Sequence, residues 1–284
     1  MIFSGFEELV KESEAQGDTL WHYILRADAN EKGITDEESL AVMQHMWDAM
    51  KEASTDYDGS RRSASGLSGG NGRKMQEYAE DCVCGPFLGE VMAQAISMAE
   101  SNACMRRIVA APTAGSCGVL PAVLIPYSKK YQVPDQKVLE ALYITAGLGG
   151  VIAARASIAG AEGGCQAEIG AASGMAAAAL TYLRGGSSQQ IADAAALALK
   201  GLLGLVCDPV AGLVEVPCVK RNVIGAVNAI TSSDMAMAGI HSFIPVDQVI
   251  DAMGEIGRNM PSMYRETGAG GLAVTPAAQQ VKLY

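Results

Sequence analysis

The sequence predicts an all-α protein: a single compact bundle of Ala/Gly-rich helices whose site is formed by Gly/Ser loops. Three observations carry that expectation. From residue 136 to 205 the chain is almost entirely Ala, Gly, Leu and Ile, with Leu139, Leu142, Ala146, Gly149 and Ala153 at helical steps. Period-2 alternation of β-branched residues, the mark of strands, is scarce. Aromatics make up only 5% of the chain while Gly numbers 32. A core short of rings must be closed by small residues that let helix backbones approach closely.

Taken in order, residues 1–53 read as a helical segment packing on the core. Thr35 and Glu38 stand three apart as a capping box, each able to satisfy the other's backbone donor. Behind them Leu40, Met43, Trp47 and Met50 recur on one helix face. Residues 54–74 turn to Ser and Gly with a basic cluster and read as a loop. Its SGLSGGN stretch is either a wrap of backbone N–H groups around an anion or a flexible linker. Residues 75–110 read as one Met/Ala-rich helix. PTAGSCG (112–118) is a second Gly/Ser loop ahead of another helix, a setting suited to a carboxylate or phosphate. It lacks the Lys-Ser/Thr pair of a P-loop. Residues 175–183 and 191–203 repeat the helical pattern. Pro209, Gly212 and Pro217 keep residues 208–219 irregular, and the tail from residue 261 is Gly-rich. The expected division is 1–53 as the N-terminal helical segment, 54–74 as the loop and 75–284 as the catalytic domain.

The chain of 284 residues fits one large domain or two small ones, and 49% hydrophobic with 18% charged residues is a globular balance. A net charge of −10 disfavours nucleic acid and anionic membranes as partners. Residues 108–128 carry no charged side chain, yet Pro112, Pro121 and Pro126 interrupt them, and Arg155 interrupts the apolar stretch after Leu142. Both read as buried elements. The N-terminus has early acids and no basic region, so a signal peptide is not expected, and the location expected is cytoplasmic. In that compartment thiols stay reduced, which leaves the seven Cys as buried apolar residues or metal ligands.

Three of them are set apart by their neighbours. Cys165 lies in GAEGGCQAEIG (160–170), Cys207 precedes Asp208-Pro209, and Cys218 follows Pro217. Gly or Pro beside each keeps the backbone irregular, as around iron–sulfur clusters, although a buried structural role fits the same surroundings. Three ligands would leave one iron open as a Lewis acid. Cys82-Val-Cys84 lacks the two-residue gap of zinc and thioredoxin motifs, and Cys104 and Cys117 read as core or loop residues. Lys220-Arg221-Asn222 follows Cys218; its cations favour a thiolate, hold a carboxylate, or simply start a solvated helix. His22 and His45 read as surface residues, and His241 as a satisfied buried His or a general base.

Together, SGLSGG (65–70), PTAGSCG, GAEGGCQAEIG, CDPVAGLVEVPC (207–218) and KRN (220–222) resemble the alpha chain of the bacterial iron–sulfur L-serine dehydratases, also called L-serine ammonia-lyases, from about residue 15 to 275. The resemblance implies an all-α fold and a [4Fe–4S] cluster on Cys165, Cys207 and Cys218. It implies a fourth iron left for L-serine, which loses water and then ammonia to give pyruvate. Ser68, Thr113, Ser116 and Lys220 are the expected catalytic groups. Ser68, Thr113, Ser116 and the amides around Gly69, Gly70 and Gly115 are the expected carboxylate clamp; no general base is singled out. Single-chain members carry a beta portion with a Ser-Ser-His-Thr string, absent from these 284 residues, so the expectation is the alpha half of a hetero-oligomer. Some members place a C-terminal Cys on the open iron; the tail here has none. The alternatives are a cluster dehydratase for another β-hydroxy compound and a non-catalytic structural subunit. A pyridoxal-phosphate enzyme needs a Schiff-base Lys, for which only Lys74 stands near a Gly/Ser loop.

Overall fold

A computed structural model describes residues 3–281. Twelve α-helices are joined by 3₁₀ turns and irregular loops, and no strand occurs among the described residues, as the composition predicts. The last three residues of the tail, where the sequence offers no Cys, lie outside the described range.

The N-terminal helices are α1 (Phe6–Ala15), α2 (Leu20–Lys32) and α3 (Asp36–Thr55). Gly5, the residue before α1, brings no capping side chain; instead Asp247 accepts from the amides of Phe6 at 2.8 Å and Glu7 at 3.1 Å. That carboxylate answers the orphan donors of the first turn. The Thr35–Glu38 box closes α3 as expected. Along α3, Trp47 and Met50 are buried, and the Trp47 indole N–H donates to Asp135 at 2.9 Å.

One element departs from the sequence reading. Residues 75–110 do not form a single helix: α4 (Asn71–Tyr78) ends in a 3₁₀ turn, the chain breaks at 82–85, and α5 (Pro86–Ala103) starts afresh. Gly85 sits at φ +86 and Pro86 opens α5. Proline disfavours helix in the residue before it and is at home in the first helical position.

The centre is α9 (Ala171–Leu183), buried from Ala171 to Thr181. Its small residues admit α6 (Val119–Tyr131), α7 (Asp135–Arg155), α10 (Ser188–Gly201) and α11 (Cys218–Met237) around it. A methyl at Gly174 would lie 3.0 Å from Leu199 Cγ, so the α9–α10 approach requires Gly there. α7 is long and apolar enough to cross a membrane, and 67% of its most apolar stretch is buried inside the fold. Its apolarity is accounted for by α2 and α9, which pack against it. The short α8 (Gly160–Gly163) and a π turn (Gln166–Gly170) lead into α9, and α12 (Val246–Asn259) lies against α8 and α10.

Candidate functional site

The site is assembled where helices stop. Cys165 sits between α8 and the π turn, Cys207 in the extended segment after α10, and Cys218 at the first residue of α11. All three are buried, with exposures of 2, 3 and 7%. Each is fixed through its backbone. Gln166 donates its amide to Leu205 O at 3.0 Å, and its side-chain carboxamide spans from the Gly204 amide to Met253 O. Cys207 pairs with the tail, its amide on Tyr264 O at 2.8 Å and its carbonyl under the Glu266 amide at 2.9 Å. Val210 N reaches Val216 O at 2.8 Å, closing the loop that delivers Cys218 to α11.

The three sulfurs share one electrostatic neighbourhood. Interaction with the neighbouring Cys207 thiol holds the Cys165 thiol below its ordinary value despite burial, and the nearby Arg221 guanidinium adds to this. The same interaction, together with burial and the Cys165 charge, drives Cys207 far upward. Burial and the Cys165 charge push Cys218 to about 12, against the pull of Arg221. Arg221 is held by Val206 O at 2.7 Å and Asp208 Oδ1 at 2.9 Å. Among the described residues no three His, Cys, Asp or Glu side chains close around a single-ion point.

The PTAGSCG loop faces this neighbourhood through Glu168. Thr113 Oγ1 donates to Glu168 Oε1 at 2.7 Å, and Ser116 Oγ lies 3.1 Å from Thr113 Oγ1 in a reciprocal cap of the 3₁₀ turn Ala114–Ser116. A methyl at Gly115 would come within 3.0 Å of Glu168 Oε1, and one at Gly160 within 2.6 Å of Glu168 Oε2 and 3.3 Å of Cys207 Sγ. Glu168 thus lies in a notch floored by two glycines. Burial raises its pKa, partly offset by the Thr113 hydroxyl and reinforced by the charge of Glu266. Asn222 joins the loop to α11: its carboxamide donates to Gly115 O at 2.8 Å and Cys218 O at 3.0 Å and accepts from Gly118 N at 2.9 Å.

The structure therefore brings together Cys165, Cys207, Cys218, Thr113, Gly115 and Ser116 of the expected residues, sets Arg221 rather than Lys220 as the cation beside the cysteines, and adds Glu168 and Asn222. Lys220 is exposed. Counting from Cys218 on one helix, the third and fourth positions return to its face and the second does not. That spacing was the available signal for Arg221 and Asn222.

The SGLSGG loop is built differently from the expected clamp. Glu100 of α5, fully buried, accepts from the amides of Gly69 at 3.0 Å, Asn71 at 3.1 Å and Gly72 at 3.1 Å, from Asn71 Nδ2 at 2.7 Å and from the Tyr57 hydroxyl at 2.6 Å. The wrap of N–H groups around an anion exists, but the protein's own carboxylate fills it, so the Gly69 amide is corrected from substrate ligand to structural donor. Gly70, at φ +77, precedes α4 within the same wrap. Glu215 holds the other end through Ser63 Oγ at 2.6 Å and Ser65 Oγ at 2.8 Å. Ser68 is buried and its hydroxyl has no partner, so it remains available.

Histidine reading also changes. His241 is not buried: its side chain is 68% exposed and is held by buried Asp193 at 2.8 Å. Lys74, the one lysine near a Gly/Ser loop, is exposed on α4.

Residues 8–273 match the family described as serine dehydratase alpha chain. The chain is 43% identical over 283 residues to the probable L-serine dehydratase alpha chain of Bacillus subtilis, covering 99% of this chain and 94% of that one. It is 40% identical over 278 residues to the L-serine dehydratase alpha chain of Peptoniphilus asaccharolyticus, covering 97% and 95%. It is 46% identical over 182 residues to the L-serine dehydratase TdcG of Escherichia coli, covering 63% of this chain and 40% of that protein.

Proposed function

Because the chain belongs to the serine dehydratase alpha-chain family, we propose that it is the cluster-bearing half of a two-chain L-serine ammonia-lyase, working with a beta chain that carries a Ser-Ser-His-Thr string. The observation that carries this reading is the convergence of Cys165, Cys207 and Cys218 beside Arg221 and Glu168. Three buried thiols, one with its pKa held below the ordinary thiol value, match in kind what a [4Fe–4S] cluster requires. Cubane thiolates bind separate irons, so they need not meet at a single-ion point. When bound, such a cluster supplies a Lewis-acid iron that turns a hydroxyl into a leaving group.

The chain's own residues supply the rest. Arg221 offers compensating positive charge to the thiolates. The hydroxyls of Thr113, Ser116 and Ser68 provide donors for the substrate carboxylate, which must be held so that Cα–H faces a base. Glu168, with its pKa raised by burial, is the group in the notch suited to hold or move a proton.

The test is anaerobic reconstitution of the chain with iron and sulfide, followed by a lactate-dehydrogenase-coupled assay for pyruvate with the beta chain present. Four irons and four sulfides per chain are expected, with serine-dependent pyruvate formation. Cys207→Ser loses both. A colourless protein free of iron, or full activity in Cys207→Ser, refutes the reading.

A further inference from the structure

Away from the notch, a cavity of about 350 Å³ opens between α8, the π turn and α12. Gln166 and Glu168 leave the π turn toward different neighbours: Glu168 reaches Thr113, whereas Gln166 reaches Met253 O of α12 and lines this cavity. Arg258 and Arg265 also line it, with Ser157 and Glu162.

These two arginines bring two positive charges to one cavity. The net charge is −10, and the partly buried guanidiniums of Arg155, Arg184 and Arg221 each meet a carboxylate: Asp251, Asp234 and Asp208. Neither Arg258 nor Arg265 forms an ion pair or a side-chain hydrogen bond among the described residues. Arg265 Nε is buried with no acceptor at all. A buried N–H of a charged group without an acceptor is costly, and such orphans in native folds signal a missing partner. Glu162 does not serve, being engaged by Ser157 Oγ at 2.7 Å.

We propose that this cavity binds a small organic carboxylate, with Arg265 donating as a fork to its two oxygens and Arg258 supplying the second positive charge. The guanidinium fork matches a carboxylate's planar geometry, and the volume suits a ligand of a few heavy atoms with its water. The site stands in backbone contact with the cysteines. Arg265 lies opposite Cys207 in the Cys207–tail pairing, and Gln166 follows Cys165 directly. Occupancy would therefore order both segments that present those sulfurs.

The experiment is isothermal titration calorimetry of the full chain with pyruvate and, separately, inorganic phosphate. Pyruvate is expected to bind the wild-type chain, to bind about tenfold or more weakly to Arg265→Met and Arg258→Met, and to bind Thr113→Ala as it does wild type. Arg265→Lys, which keeps the charge without the fork, should fall between, and thermal melts of each variant confirm folding. No binding of pyruvate by wild type, equal affinity in Arg265→Met, or dependence on Thr113 instead of the arginines overturns the proposal. So does phosphate binding more tightly than pyruvate with the same arginine dependence, since that makes the site one for phosphate.

Discussion

Replacing Glu100 by Ala tests whether the SGLSGG loop is held by an internal anion. The carboxylate is fully buried and receives three backbone amides, one side-chain amide and one phenol. Alanine strands the three amides in a place with little room. The adjoining space is only about 10 Å³, so water is confined to the volume the carboxylate vacates and re-satisfies only part of the set. At about 1–1.5 kcal/mol for each stranded donor the loss is roughly 3–5 kcal/mol, a large share of a typical domain's stability. For a chain of this length that lowers Tm by about 10 °C. Thermal melts followed by circular dichroism at neutral pH measure it, and Glu100→Gln, which swaps one acceptor oxygen for a donor, should fall between. The pH dependence adds a second signature. Burial pushes the Glu100 pKa up, but the donations from Tyr57, Gly72 and Asn71 outweigh it and leave it below its ordinary 4.5. A depressed folded-state pKa stabilises above the unfolded value, and that contribution fades as pH falls through the folded value. The gap between wild type and Glu100→Gln should thus be full near neutrality and shrink on acidification below 4.5. A Glu100→Ala protein that melts within about 2 °C of wild type, or a gap that grows in acid, refutes the internal-anion account.

Asn222→Ala removes three hydrogen bonds that tie Gly115, Gly118 and Cys218 together; a loss of about 2–4 kcal/mol in urea unfolding is expected, and a change below about 0.5 kcal/mol contradicts the tie. Glu168→Gln should lower kcat by about a hundredfold or more while iron and sulfide content stay at wild-type levels; an unchanged kcat excludes Glu168 as a proton carrier. Gly271→Ala places a methyl 2.8 Å from Asp208 Cβ at a φ of +60, so the tail should detach. Limited proteolysis between residues 265 and 275 should accelerate, and an unaltered cleavage rate shows that the tail tolerates the methyl.

The helices were legible because their causes are local. Small residues at helical steps marked α7 and α9, and the Thr35–Glu38 spacing marked the start of α3. The break at 82–85 is also written locally, in Gly85-Pro86, and prevails over the helix-favouring Met and Ala on either side. Gly and Pro neighbours draw attention to Cys165, Cys207 and Cys218, although Cys84 and Cys117 also precede a Gly. What joins those three could not be read the same way. Glu168 meets Thr113 across 55 residues and Glu100 meets the Gly69 amide across 31. No window of sequence contains both partners, and an acid that will be buried looks the same as one that will face water.

An irregular backbone does not make an imprecise site. The loop 207–218 is not a continuous helix, yet its two cysteines are positioned by segments outside it, a helix at one end and the tail at the other. Cys218 takes its place as the first residue of α11, so Arg221 and Asn222 follow onto its face by helix geometry alone. Cys207 takes its place from the tail, through Tyr264 O and the Glu266 amide. Asp208 then locks the two ends to each other, one oxygen on Arg221 of α11 at 2.9 Å and the other on the Leu272 amide of the tail at 2.8 Å. A carboxylate that is 3% exposed and engaged from both sides leaves neither end free to move alone. The distance between Cys207 and Cys218 is therefore set by a helix, a tail and the acid between them, while the Pro and Gly residues of the loop serve to keep any other regular structure from competing.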